Sequence, residues 1–190
     1  MLELSEVLKS TGNEVLVALY QDSNDYYLDI PHLDLTYASN GNRVNVTGTA
    51  RVTSTDGQAG KYKGSFQVNY LRANVTALTG IVVQFPFSSL FPFTFATLAA
   101  ALKAQYGLVV EAQDVLVPNT TNQMTDATQI TAAMPVGGVI ELKIADKSPR
   151  FIPKSLGGGS FYIKVVDPNG GQLDYLTGTT TLGPVTTLDA

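Results

Sequence analysis

A set of short motifs occurs twice along this chain, in the same order each time. Leu4-x-x-x-Leu8-Lys9 returns as Leu98-x-x-x-Leu102-Lys103. Val15-Leu16 returns as Val109-Val110, and Val44-x-Val46 as Ile140-x-Leu142. Gly64-Ser65-Phe66-x-Val68 returns as Gly159-Ser160-Phe161-x-Ile163. Leu78-Thr79-Gly80 returns as Leu176-Thr177-Gly178, with Pro86 and Pro184 following. The offset stays near ~95 residues, half of the 190 in the chain, and collinear self-similarity of this kind marks a repeated structural unit.

Within each copy the hydrophobic period changes from helical to alternating. Leu4, Val7 and Leu8 are spaced for one helix face, and Gly12-Asn13 reads as a stop. The apolar run 15–20 predicts a strand. Residues 26–31 read as an edge segment, because Pro31 cannot donate to a central ladder. Asn40-Gly41 is a hairpin turn signal, and Gly48 reads as a bulge. Phe66, Val68 and Tyr70 alternate with Ser65, Gln67 and Asn69, the pattern of a half-buried strand. Residues 81–85 form another strand candidate. In the second copy Thr94 or Thr97 caps a helix through Leu98, Ala101, Leu102 and Gln105, and Gly107 ends it. Residues 108–112 read as a strand. Gly137-Gly138 reads as a turn. Ile140, Leu142 and Ile144 alternate, as do Phe161, Ile163 and Val165.

The expected fold class is therefore α+β: two tandem similar units, each a short helix plus a mainly antiparallel, β-hairpin-rich sheet. Residues 1–84 form the first unit and 96–172 the second. A Phe/Pro linker, 85–95, joins them, and 173–190 is an extended Thr-rich tail. The hairpins pair 43–53 with 64–71 and 139–145 with 160–166.

Composition narrows the function. The net charge is −4 and no basic run occurs, so nucleic acid is not an expected partner. No cysteine is present, which removes disulfides, thiol catalysis and thiolate metal sites. No apolar stretch reaches the ~18 residues of a membrane span. The start Met1-Leu2-Glu3-Leu4-Ser5-Glu6 lacks the basic, then apolar, pattern of a signal peptide. Without that signal, the glycosylation patterns at Asn45, Asn74 and Asn119 read as chance. Charged residues make up only 15%, against about 25% typically. Burial against partner chains explains that, and so does a Thr/Asn/Gly-rich surface.

Catalytic patterns are sparse. The single histidine, His32, lies two residues from Asp34, and no second histidine or cysteine completes a relay. Asp22, Asn24, Asp25 and Asp29 offer oxygen ligands, but not in the order of a calcium loop. Gly157-Gly158-Gly159-Ser160 precedes a strand instead of a helix and lacks the lysine of a phosphate loop. No catalytic, cofactor or metal residues are assigned. Two groups stand out as interface candidates. Phe87, Phe91 and Phe93 belong to the densest aromatic group, which also holds Phe85 and Phe95. It reads either as core between the units or as an anchor to another subunit. Lys147, Arg150 and Lys154, with Phe151 and Pro153, share one loop. They read either as solvated charges or as a contact patch for an acidic neighbour.

The pattern Tyr62-x-Gly64-Ser65-x-x-Val68-x-Tyr70-x-Arg72, behind Val44-x-Val46, resembles a repeat of virion structural proteins from giant tailed phages of the phiKZ type. Tyr106-Gly107-Leu108 leading to Gln113-Asp114-Val115 resembles the segment between that repeat's helix and its hairpin. The second half departs from the pattern: Tyr162 is displaced and no arginine follows Val166. The resemblance implies a non-enzymatic virion protein, assembled in the host cytoplasm without cofactors. It would be a tail or baseplate component whose partners are other virion proteins and copies of itself. The alternatives are a capsid-associated or decoration protein, or a carbohydrate or host-surface binder using tyrosines such as Tyr26, Tyr27 and Tyr37.

Overall fold

In a computed structural model of the protein, residues 3–24, 26–75, 78–84, 91–135 and 139–166 are described, 78–84 and 166 by their backbone only. The chain opens with a single helical turn, α1 (Leu4–Val7), followed by α2 (Gly12–Asn24). The strand expected at 15–20 is therefore helix. A capping box overrides the β-branched residues: the Glu14 N–H donates to Thr11 Oγ1 at 3.2 Å, and Glu14 Oε2 accepts from the Thr11 N–H at 2.6 Å. Val15, Leu16, Leu19 and Tyr20 then share one face at helical spacing and enter the core.

That face lies on an antiparallel meander of β1 (Leu33–Asn40), β2 (Arg43–Ala50) and β3 (Ser65–Leu71). The expected hairpin forms, with Gly41 at φ +58° in the two-residue turn. Period-2 alternation gives the meander two unlike faces. Val44, Val46 and Tyr70 are buried beneath α2, where the Tyr20 and Phe66 rings stand 5.2 Å apart. The opposite face carries Thr36, Thr47 and Gln67 in one row and Ala38, Asn45 and Asn69 in the next. Gly48 is in register with both neighbours and is not a bulge. Its missing side chain makes room for Phe66, whose ring a Cβ would meet at 2.1 Å.

β4 (Leu78–Gln84) leaves this sheet and joins another, in the order β4-β8-β7. β7 (Val139–Lys143) and β8 (Ser160–Val166) pair antiparallel, as the alternation predicts, while β4 runs parallel to β8. The last strand of the first expected unit thus completes the sheet of the second. β5 (Phe93–Thr94) pairs with β6 (Gln129–Ile130) and leads into α3 (Phe95–Tyr106). Thr94 caps α3, accepting from the Thr97 N–H, and Gly107 ends it at φ +65°. Leu98 and Leu102 join Ile140, Leu142, Phe161 and Ile163 in the core, all of them fully buried.

Segment 108–112 forms no strand. Its Val109 N–H donates to Leu8 O at 2.8 Å, closing the end of α1, and a 3-10 turn (Ala112–Asp114) follows. Val15-Leu16 therefore lies in a helix, whereas its counterpart Val109-Val110 is non-helical. The registers of the two hairpins differ as well: Val46 faces Val68, but Leu142 faces Phe161. Gly137-Gly138, the turn at 167–171, the tail, Phe85 and Phe87 lie outside the described residues.

Candidate functional site

The loop between β7 and β8 holds four of the seven interface candidates, and the structure splits them. Arg150 is 1% exposed and Phe151 is fully buried, so neither is a surface group. Arg150 lies there because its guanidinium is fully engaged. Nε donates to Asp114 Oδ2 at 3.1 Å, and Nη2 donates to the same oxygen and to Val109 O. Nη1 donates to Val7 O at 3.2 Å and to Ser10 O. Asp114 is itself fully buried and accepts from Ser148 Oγ at 2.7 Å and from the Glu111 N–H at 3.1 Å. Glu111 Oε2 stands 3.6 Å from Arg150 Nε and accepts from the Gly12 N–H at 2.6 Å. Burial raises the Glu111 carboxyl above the usual carboxylate value.

A second cation ties the meander to this loop. Arg72 is 4% exposed, and its Nη1 donates to Asp146 O at 2.8 Å and Ser148 O at 3.1 Å. Tyr70 Oη donates to Pro149 O at 3.0 Å. Segment 146–151 is thus a seam holding α1, the start of α2 and the end of β3 against the second half. Sequence reasoning missed Asp114, Glu111 and Arg72 as parts of one assembly. The only signal was the spacing Glu111-x-x-Asp114, a capping pattern that buries its second member.

Lys147 and Lys154 stay exposed and border a groove of about 450 Å3, with Leu116, Asn122, Gln123 and Asp146. Lys154 Nζ reaches to 4.0 Å from Glu141 Oε1. Phe91 and Phe93 stack at 5.1 Å and are half-buried against the core. Phe87 is outside the described residues. Gly158 is packed so tightly that a Cβ would lie 1.8 Å from Ile152 O, and Gly157 adopts φ +85°, which gives backbone reasons for two of the three glycines.

The other candidate groups are dispersed. His32 Nε2 faces Asp29 at 3.7 Å, whereas Asp34 pairs with Arg51 at 2.5 Å, so the His32/Asp34 pairing does not form. Among the described residues no three acidic or histidine side chains converge as for a metal; Asp25 is outside them. Tyr26 borders a recess of about 220 Å3 with Tyr20, Tyr62 and Phe66. Tyr37 lies in a separate groove, bonded through its hydroxyl to Asn13 at 2.7 Å, and Tyr27 is 63% exposed.

The edges of the meander complete the picture. Antiparallel ladders turn alternate residues toward and away from each neighbour. The bonds Ala50 N–H to Gly64 O and Arg72 N–H to Asn42 O fix the parity: Phe66, Val68 and Tyr70 face β2. Ser65, Gln67, Asn69 and Leu71 then aim their N–H and C=O groups outward. Ala73, next in that series, does pair outward: it donates to Arg150 O at 2.7 Å and accepts from the Ile152 N–H at 2.9 Å. Among the described residues, nothing bonds the outward backbone groups of the other four. The β1 edge differs. Arg51 donates to Leu33 O at 3.1 Å while pairing with Asp34, placing two charges along it. β3 carries no charge or proline, two devices that ordinarily protect an edge. A seven-residue run without such a guard was visible in the sequence.

No protein-family model, curated protein or solved structure matches this chain. Among the described residues no helix is long and apolar enough to cross a membrane. Among the described residues the surface thus carries an unpaired strand edge, a lysine-bordered groove and an aromatic recess, around a seam whose ions are engaged internally.

Proposed function

We propose that this chain is a non-enzymatic structural protein of a tailed-phage particle, a tail or baseplate component that works through protein–protein interfaces. The observation that carries the reading is the β3 edge, uncharged and unpaired among the described residues, a template for strand addition by a neighbouring subunit. The resemblance of 62–72 to the phage repeat falls on that same strand. The buried ionic cluster supports it too: Arg150, Asp114 and Glu111 are engaged in bracing the fold. The duplication belongs to this reading. The antiparallel pairs β2–β3 and β7–β8 fall on the recurring motifs of the two halves, with different registers, which supports a shared origin for the hairpins without making the units alike. Lys147 and Lys154 supply the charge for an acidic neighbour.

Mass spectrometry of purified particles should find the chain at the copy number of a structural subunit. A map of the assembled particle should place β3 against another protein. Recovery only from the soluble fraction of infected cells would refute the assignment.

The tyrosine recess favours a second reading, a carbohydrate or host-surface binder. Tyr26 is 51% exposed beside Tyr62, with ring centroids 6.4 Å apart, a surface on which a sugar ring can stack. Glycan-array binding by the isolated chain, lost on Tyr26→Ala, would support it. No binding across the array would remove it.

A further inference from the structure

We propose that β3 is the strand by which two copies of this chain pair, antiparallel, about a two-fold axis through Val68. This deepens the assembly reading and rests on it. An isologous strand contact must be self-complementary in backbone parity, side-chain chemistry and charge. β3 meets all three conditions. With Val68 opposite its own copy, Gln67 stands opposite Asn69 of the second copy, and Ser65 opposite Leu71. All four belong to the outward-facing set, so this register offers about eight main-chain hydrogen bonds.

The side chains match across the same axis. On the polar face Gln67 stands opposite Asn69, whose amide is already bonded to Arg43 and Asn45 of β2, so Gln67 is the polar side chain left to bridge the copies. On the apolar face Phe66 stands opposite Tyr70, apolar to apolar, with the Phe66 ring over Gly48 and the Tyr70 ring buried in its own copy. Phe66 and Val68 are only half-buried, and a second strand would complete their cover. The strand itself carries no charge, and the Arg43 guanidinium beside it is held on Asn69 of its own copy. The β1 edge would bring Asp34 and Arg51 into any such contact and is disfavoured.

The ends of the contact are also defined. At one end the outer position beside Ala73 is already occupied by Phe151. At the other, Gly64 at φ +83° turns the chain out of the strand direction. Pairing is thereby confined to 65–71 and yields one six-stranded sheet from two three-stranded ones. A single strand pair buries less than the ~1,200 Å2 of a stable interface, so weak, concentration-dependent dimers are expected.

The test is sedimentation or light scattering of the full chain across a wide concentration range. The parent should shift from monomer to dimer. Gln67→Pro removes an outward N–H and leaves the bonds to β2 intact, so it should stay monomeric with an unchanged circular dichroism spectrum. Should the proline disturb the fold, the double variant Gln67→Lys, Asn69→Lys sets like charges opposite each other across the axis. It should also be monomeric. Mixing it with Gln67→Glu, Asn69→Glu should restore a heterodimer. A parent that stays monomeric at every concentration would overturn the proposal, as would a dimer indifferent to all three variants. A monomeric parent still found in particles would sink self-pairing and leave the assembly reading standing. A dimer absent from particles would do the reverse.

Discussion

Asp114→Asn should be among the most damaging substitutions that preserve side-chain size. Asp114 is fully buried and accepts four hydrogen bonds: two from Arg150, one from Ser148 Oγ and one from the Glu111 N–H. An asparagine can still accept from Ser148 through Oδ1. Its amide nitrogen, however, replaces the oxygen that receives the other three bonds, and sets donor against donor. It also leaves the Arg150 cation buried without its nearest anion. Breaking one side of such a pair costs about 3–5 kcal/mol. Glu111, 3.6 Å from Arg150 Nε, compensates in part and places the expected loss near the lower bound. Against a total stability on the order of 10 kcal/mol, that lowers the urea midpoint by about 1–1.5 M with the slope unchanged. Urea titration followed by far-ultraviolet circular dichroism at neutral pH measures it. Arg150→Lys keeps the charge, but an ammonium has three donors for a site that now takes five bonds. It should lie between the parent and Arg150→Met. A loss below about 1 kcal/mol for Asp114→Asn would refute the seam as the brace of the fold. Equal losses for Arg150→Lys and Arg150→Met would show that the guanidinium's geometry contributes nothing.

Thr11→Ala removes the cap of α2 and should cost about 1 kcal/mol in the same titration; Thr11→Ser should recover most of it. Gly48→Ala drives a methyl group into the Phe66 ring and should cost about 1–3 kcal/mol, relieved in part by Phe66→Leu. Glu111→Gln tests the raised carboxyl. Because burial lifts its folded pKa, the neutral form favours folding. That contribution is complete below the ordinary carboxylate value and is lost as pH rises through the raised one. The glutamine variant should therefore match the parent near pH 4 and equal or exceed it at pH 7 in urea titrations. A marked loss at pH 7 would show that attraction to Arg150 outweighs burial.

What was legible in the sequence follows from the range of each interaction. The alternations at 65–70, 140–144 and 161–165 gave β3, β7 and β8 because one face of each is buried, and burial imprints period two on the chain. Thr94 and Gly107 marked α3 because caps act within a turn of the helix they end. The strand expected at 15–20 failed for the converse reason. Val15 and Val17 suit a strand, but Thr11 and Glu14 start a helix a few residues earlier, and a local hydrogen-bonded cap outweighs a weak propensity. Arg150 failed differently. In the sequence it is one of three cations on a loop. Only the arrival of Val7, Ser10, Val109 and Asp114 from distant segments turns it into an interior group. Lys147 and Lys154, on the same loop, lack such partners and stay exposed, so residue type and spacing could not separate them. The β3 edge lies between these cases. Its lack of charge is written in seven consecutive residues, but whether a neighbour covers it depends on β4. That strand could have extended the meander and instead crosses to β8. By leaving, β4 converts an ordinary interior strand position into a bonding edge. The same crossover that ties the two halves together is thus what leaves β3 without a further strand beside it among the described residues.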